Sequence, residues 1–285
     1  MCKDVTEVIS TMTALYYMVN VREENGTYNT FDGNSMEYFS TKPEGFEKGA
    51  GIIVISEIWG LTEFIKNVCR RLSAEGYSAI APNLYSRPDE KILYTEENMM
   101  DAMRPIWSIP SEKRRDPSAI QDILSTVNDT SGKIITSIMV EREHIEKRMI
   151  KDLESLYNFY FDKKNTAKGI VGFCMGGGLA FQLSTQEEFE ASVIFYGRNP
   201  LNIKDVRRIK GAVLALYAGE DGTINSGIPD LLEQVVEHKT DFEMKLYPGT
   251  FHAFFNDSGM SYHEEAAKDA WEKTTTFYKK YLKSE

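Results

Sequence analysis

The run Ile52-Ile53-Val54-Ile55 is apolar at every position, and it limits the possible folds more than any other stretch. A strand with one solvated face alternates apolar and polar side chains. A strand without alternation needs cover on both faces, as in the middle of a parallel sheet. Apolar residues then recur at helical spacing, at Phe64, Ile65, Val68 and Leu72, until Gly76 ends the helix and Ser78-Ala79-Ile80-Ala81 supplies the next short strand. The same rhythm returns later in the chain. Strands are expected at Gly169–Phe173, Ser192–Tyr196, Val213–Tyr217 and Glu243–Tyr247, with helices near 176–186, 227–238 and 261–282. A further helix near 140–162 carries the stripe Ile145, Met149, Leu153, Leu156 and Tyr160. Such alternation implies an α/β domain across 1–285, with a mostly parallel central sheet and helices on both faces.

Two segments fall outside the rhythm. Residues 1–49 read as a leader whose first twenty-odd residues form a helix or an ordered arm. It ends in a hairpin, because Thr27–Phe31 and Met36–Ser40 flank the turn signal Asp32-Gly33-Asn34. Residues 86–140 are charged and punctuated by Pro88, Pro105, Pro110 and Pro117, which reads as an inserted cap of short helices and loops.

A strand-to-helix turn stands out within this frame: Gly172-Phe173-Cys174-Met175-Gly176-Gly177-Gly178. It has the form of a nucleophile elbow with cysteine in place of serine. Glycines two residues either side leave room for a sharp turn, and a helix N-terminus favours a thiolate. The plain alternative is a glycine-rich turn around a buried cysteine. A nucleophile needs a base, and of the four histidines His252 follows the last expected strand, where open α/β sheets build their sites. His144 and His238 lie in charged helical surroundings, and His263 begins the last helix. Asp221, after Val213–Tyr217, is placed to orient the base, with Glu220 as its rival. Chain order is then nucleophile, acid, histidine, the order of α/β-hydrolases. Glu57 ends the first apolar strand. The backbone N–H groups of Ile58 and Met175 are candidate donors to an oxyanion.

At this point the chain resembles the dienelactone hydrolase family from about Gly51 to Leu282. The motifs that carry the likeness are Glu57-Ile58-Trp59-Gly60, Pro82-Asn83-Leu84-Tyr85-Ser86-Arg87, the Cys174 elbow, the Asp221 turn and the His252 loop. The resemblance implies an α/β-hydrolase fold without metal or cofactor, opening esters or lactones through an acyl-enzyme on Cys174. It also implies that Glu57 contacts the resting thiol and that Arg87 binds a substrate carboxylate, with Tyr85 in the same motif as a substrate-binding candidate. Trp59, just after a strand, is a candidate pocket wall, with core packing as the plainer alternative. Two positions depart from the family pattern. Asn256 stands where a second carboxylate-binding arginine is expected, and Ala253 where a small hydroxyl residue is expected.

Composition narrows the rest. The 285 residues carry a net charge of −10, which gives no footprint for nucleic acid or an anionic membrane surface. No run of apolar residues is long enough to span a bilayer and no signal-peptide pattern is present, so a cytoplasmic enzyme acting on a small ester or lactone is expected. Three cysteines at wide spacings make neither a disulfide framework nor a zinc site. Cys69 reads as helix packing, and Cys2 has no assigned role. Alternatives on the same scaffold are a broad carboxylesterase or thioesterase, a non-catalytic binding protein, and a redox sensor at Cys174. A non-catalytic relative would be expected to lose one of Cys174, Asp221 and His252, all of which are present. Cys2 and Cys69 show no sign of being a resolving partner for a sensor.

Overall fold

The computed structural model describes residues 20–110, 113–114, 116–161 and 165–283. The arm expected at the N-terminus, and Cys2 with it, lie outside the described residues. The strands are β1 (Val21–Asn29), β2 (Ser35–Pro43), β3 (Gly49–Ile55), β4 (Ser78–Pro82), β5 (Asn165–Phe173), β6 (Ala191–Phe195), β7 (Ala212–Ala218) and β8 (Phe242–Tyr247). They form one sheet in the order β1-β2-β4-β3-β5-β6-β7-β8. From β4 to β8 all neighbours pair in parallel, and β1 and β2 join antiparallel.

Every residue of β3 is buried, as the unbroken apolar run requires. One face of the sheet is covered by α1 (Glu63–Ala74) and by the C-terminal helix (Glu264–Tyr281), through Phe64, Val68, Leu72, Ala270 and Phe277. Cys69 is fully buried in α1 and packs there as a small apolar residue. On the other face lie α2 (Glu96–Ser108), α3 (Pro117–Leu124), α4 (Asp129–Ile135) and α5 (Arg142–Tyr160), followed by α6 (Met175–Ser184). After β7 come α7 (Gly222–Asn225) and α8 (Ile228–His238), and the C-terminal helix is α9. Among the described residues no helix is long and apolar enough to cross a membrane.

The hairpin is larger than its turn signal implied, and it belongs to the main sheet. Its strands run nine residues each, and Tyr38 to Thr41 of β2 pair with Ala79 to Pro82 of β4. The sequence hid this extension because β1 is an edge strand whose charged residues, Arg22, Glu23 and Glu24, suppress the alternation expected of a strand. The segment 86–140 holds α2, α3 and α4, ending in a π-helical turn over Thr136–Val140. Met99, Met103, Ile106, Ile120 and Ile135 tie it into the same apolar cluster as Tyr85 and Met175.

Candidate active site

Five groups hang from the carboxyl ends of five strands: Glu57 after β3, Cys174 after β5, Tyr196 after β6, Asp221 after β7 and His252 after β8. Cys174 caps α6 with φ 55° and ψ −115°, a left-handed backbone that an L-residue adopts only at some energetic cost. Its N–H donates to the Phe195 carbonyl oxygen (3.1 Å), and its own carbonyl oxygen accepts from Gly178 N–H (3.1 Å). The flanking glycines are required by space. A Cβ on Gly172 would lie 1.9 Å from the Gly176 carbonyl oxygen, and one on Gly176 would lie 2.4 Å from those of Ile55 and Ser56.

His252 Nε2 lies 3.0 Å from Cys174 Sγ, and its Nδ1 is hydrogen-bonded to Asp221 Oδ2. Asp221 is buried and also caps α7, its Oδ1 accepting from Ile224 N–H at 3.3 Å. Glu220, the rival acid, is exposed and accepts from Gly249 N–H instead. Burial opposes a charge on His252. The neighbouring thiolate of Cys174 and the Asp221 hydrogen bond outweigh it and hold the imidazole pKa well above its ordinary value. A raised histidine pKa adds stability that is complete below the unfolded value and is lost as pH rises through the folded one. Asp221→Asn removes one of the interactions holding the proton on His252. The ring titration, followed by NMR of the imidazole protons, should move to lower pH, and kcat should fall by roughly 10³–10⁴. An unmoved titration with full activity would remove Asp221 from the site.

Glu57 is nearly inaccessible, at 3 % exposure, and does not take the position on the thiol that the family likeness implied. Cys174 Sγ meets His252 instead. The Glu57 carboxylate accepts from Asn256 Nδ2 (2.7 Å) and from the Tyr196 hydroxyl (3.3 Å). Burial pushes its pKa up, while the Asn256 hydrogen bond, the His252 charge and the Tyr196 hydrogen bond pull the other way. Sequence reasoning missed Tyr196 and misjudged Asn256. In the sequence Tyr196 marks only a strand terminus, although the strand-end rule that selects Cys174 and Asp221 applies to it equally. It sits at φ 39°, with its ring 5.1 Å from the His252 ring. Asn256, a departure from the family pattern in the sequence, is the principal hydrogen-bond donor to Glu57. Ala253, the other departure, has φ 66° and turns the chain between His252 and the buried Phe254.

Arg87 does not present a free guanidinium to the site. Nε and NH2 donate to Asp152, and NH1 (2.8 Å) and NH2 (3.2 Å) donate to Asp32 at the hairpin turn. The same Asp152 accepts from Arg148 NH1 at 2.8 Å. Sequence reading could not see this because Asp32 and Asp152 lie far from Arg87 along the chain. Tyr85 packs on Tyr94 (ring centroids 4.7 Å apart), and its hydroxyl reaches Met175 Sδ (3.8 Å), next to the nucleophile. Trp59 packs on Trp107 of α2 (4.9 Å). The N–H of Met175 falls in the first turn of α6, where a helix supplies no internal acceptor. Ile58 lies in the turn closed by Gly60 N–H on the Glu57 carbonyl oxygen (3.2 Å). Among the described residues no group of three or more His, Cys, Asp or Glu side chains is arranged to hold a metal ion. A separate groove of about 470 Å³ lies beside the start of β4, lined by Arg22, Thr41, Lys42 and Tyr160, away from this chemistry.

A mostly parallel sheet covered on both faces, with a glycine-flanked turn leading from strand to helix at Cys174, defines an α/β-hydrolase. The chain belongs to the dienelactone hydrolase family, whose model matches residues 36–282, and it is a hydrolase. A Saccharolobus solfataricus protein provisionally named a carboxymethylenebutenolidase is 44% identical over 253 residues, 88% of this chain and 96% of that one. A Synechocystis protein with the same provisional name is 29% identical over 81% of this chain and 86% of its own. The fold is shared with a crystal structure from Klebsiella pneumoniae, described provisionally as a dienelactone hydrolase. Its TM-score is 0.68 at 23% identity, covering 92% of this chain and 100% of that one.

Proposed function

We propose that the protein hydrolyses an ester or lactone through a covalent acyl-enzyme on Cys174, with His252 as proton carrier and Asp221 orienting the imidazole. The observation that carries this reading is the 3.0 Å contact of Cys174 Sγ with His252 Nε2, in line with the Asp221 hydrogen bond on the far side of the ring. The thiolate attacks the acyl carbon, and the carbonyl electrons move onto oxygen. As the tetrahedral species collapses, the ester C–O bond breaks and the His252 proton goes to the departing alkoxide, leaving a thioester. Water then gives a proton to His252 and attacks the thioester carbon. The C–S bond breaks, the acid leaves and the thiolate is regenerated. In a lactone the alkoxide stays tethered, so a single hydroxy acid is released.

The N–H groups of Met175 and Ile58 receive the oxyanion in both halves. Tyr85 and Trp59 wall the acyl group, and the segment 86–140 caps it through Tyr94 and Trp107. The names of the curated relatives, carboxymethylenebutenolidase, specify a butenolide that bears a carboxymethylene group and support a lactone as the substrate class. The test is to quench a reaction with an activated p-nitrophenyl ester in acid and map the digested protein by mass spectrometry. The peptide containing Cys174 should carry the acyl mass, and hydroxylamine should remove it. Turnover with the acyl group on another side chain would refute the mechanism.

A further inference from the structure

We infer that two copies of this chain associate through the outer edge of β8, which becomes an interior strand of one sheet running through both. Among the described residues β8 pairs on one side alone, with β7. That pairing fixes which backbone groups face outward. The carbonyl oxygens of Asp241 and Tyr247 accept from the N–H groups of Val213 and Gly219. Odd-numbered residues therefore turn their N–H and C=O groups to β7, and Phe242, Met244 and Leu246 turn theirs outward. The side chains of these three lie on the face that α8 covers, where Phe242 joins the apolar cluster of Leu231 and Val235. Met244 and Leu246 stay 36 % and 41 % exposed. Glu243 lies on the opposite face, where Lys280 Nζ of α9 reaches it at 3.2 Å.

A free strand edge invites a second strand, and charged side chains commonly keep copies apart. Here the charges attract in one register. Two copies related by a two-fold axis meet antiparallel, and each residue faces the one equally far from the axis. An axis between two residues would oppose outward-turned and inward-turned backbone groups. An axis through Glu243 or Lys245 sets like charges against each other, and one through Phe242 sets Asp241 against Glu243. An axis through Leu246 or Tyr247 draws Pro248, which has no N–H, into the ladder. Met244 is the position in β8 that avoids all of these. With the axis there, Phe242 exchanges backbone hydrogen bonds with Leu246 of the second copy, and Met244 does so with its own counterpart. Glu243 falls opposite Lys245 at two symmetric places, in the pairs whose side chains approach most closely. The pairing also steadies the loop bearing His252, into which β8 leads. A single chain leaves this edge open.

Sedimentation velocity on a micromolar dilution series of the full chain, at physiological ionic strength, should show a concentration-dependent species of twice the chain mass. Lys245→Glu and Glu243→Lys each set like charges opposite at both places, and each should weaken association by at least about tenfold. The two changes shift net charge in opposite directions, so a general charge effect would strengthen one dimer while weakening the other. Mixing the two variants, or making both changes in one chain, restores opposite charges across the axis and should restore the dimer. Circular dichroism should stay that of wild type, because both side chains are exposed. A wild-type protein that remains monomeric overturns the inference. Slow amide exchange at Met244 and Leu246 would then assign the edge to another segment of this chain, and fast exchange would leave it open to a different protein. A dimer indifferent to the single changes, or not rescued by the mixture, overturns it by placing the contact elsewhere.

Discussion

On the proposed mechanism, replacing Cys174 by alanine should lower kcat/KM for ester hydrolysis by at least about 10⁴-fold, because the members of a nucleophile–base–acid set act as a unit. Without the thiol, the imidazole has nothing to hold in place for attack, and only binding and the oxyanion donors remain. The loss should appear in kcat, since in the proposed mechanism Sγ would bond to the acyl carbon only after the substrate is bound. Thermal unfolding should hardly change. Alanine retains the strained φ of 55° and removes a single partly exposed sulfur atom. Cys174→Ser should also be poor, because a hydroxyl is a much weaker acid than a thiol and gives up its proton to a neighbouring imidazole far less readily. A loss below tenfold in Cys174→Ala, with the fold intact, would place the nucleophile elsewhere.

The largest effect on stability is expected at Arg87. In Arg87→Ala the buried Asp152 loses the cation that engages both of its oxygens, and Asp32 loses the anchor that fastens the hairpin turn to α5. Removing one partner of a buried pair typically costs 3–5 kcal/mol. Here about 3 kcal/mol is expected, because Arg148 still holds Asp152. Urea unfolding at neutral pH reads this directly as a lower midpoint. Measured under conditions where the variant is folded, kcat/KM should change by the same factor for charged and neutral esters. Unchanged stability, with activity lost only on a carboxylate-bearing ester, would return Arg87 to substrate binding.

The parallel core was legible in the sequence because buried strands and amphipathic helices have different periods. The elbow, Asp221 and His252 were legible because each sits just after a strand end. What was hidden depends on distance along the chain. Nothing local to Asn256 announces that it donates to Glu57, 199 residues away. Nothing local to Arg87 announces Asp32 and Asp152. The hairpin's place in the main sheet was obscured for a different reason, since an edge strand rich in charge lacks the alternation that marks a strand.

The histidine is delivered by the loop after β8, a strand that among the described residues pairs only with β7 and leaves most of its residues in water. Such an edge has the least to lose by peeling away, so it opens at lower free energy than the central strands. Brief detachment of that one rim would carry the imidazole off the sulfur while the rest of the sheet stayed zipped. If His252 carries the proton as proposed, heat or denaturant should silence the enzyme well before melting it.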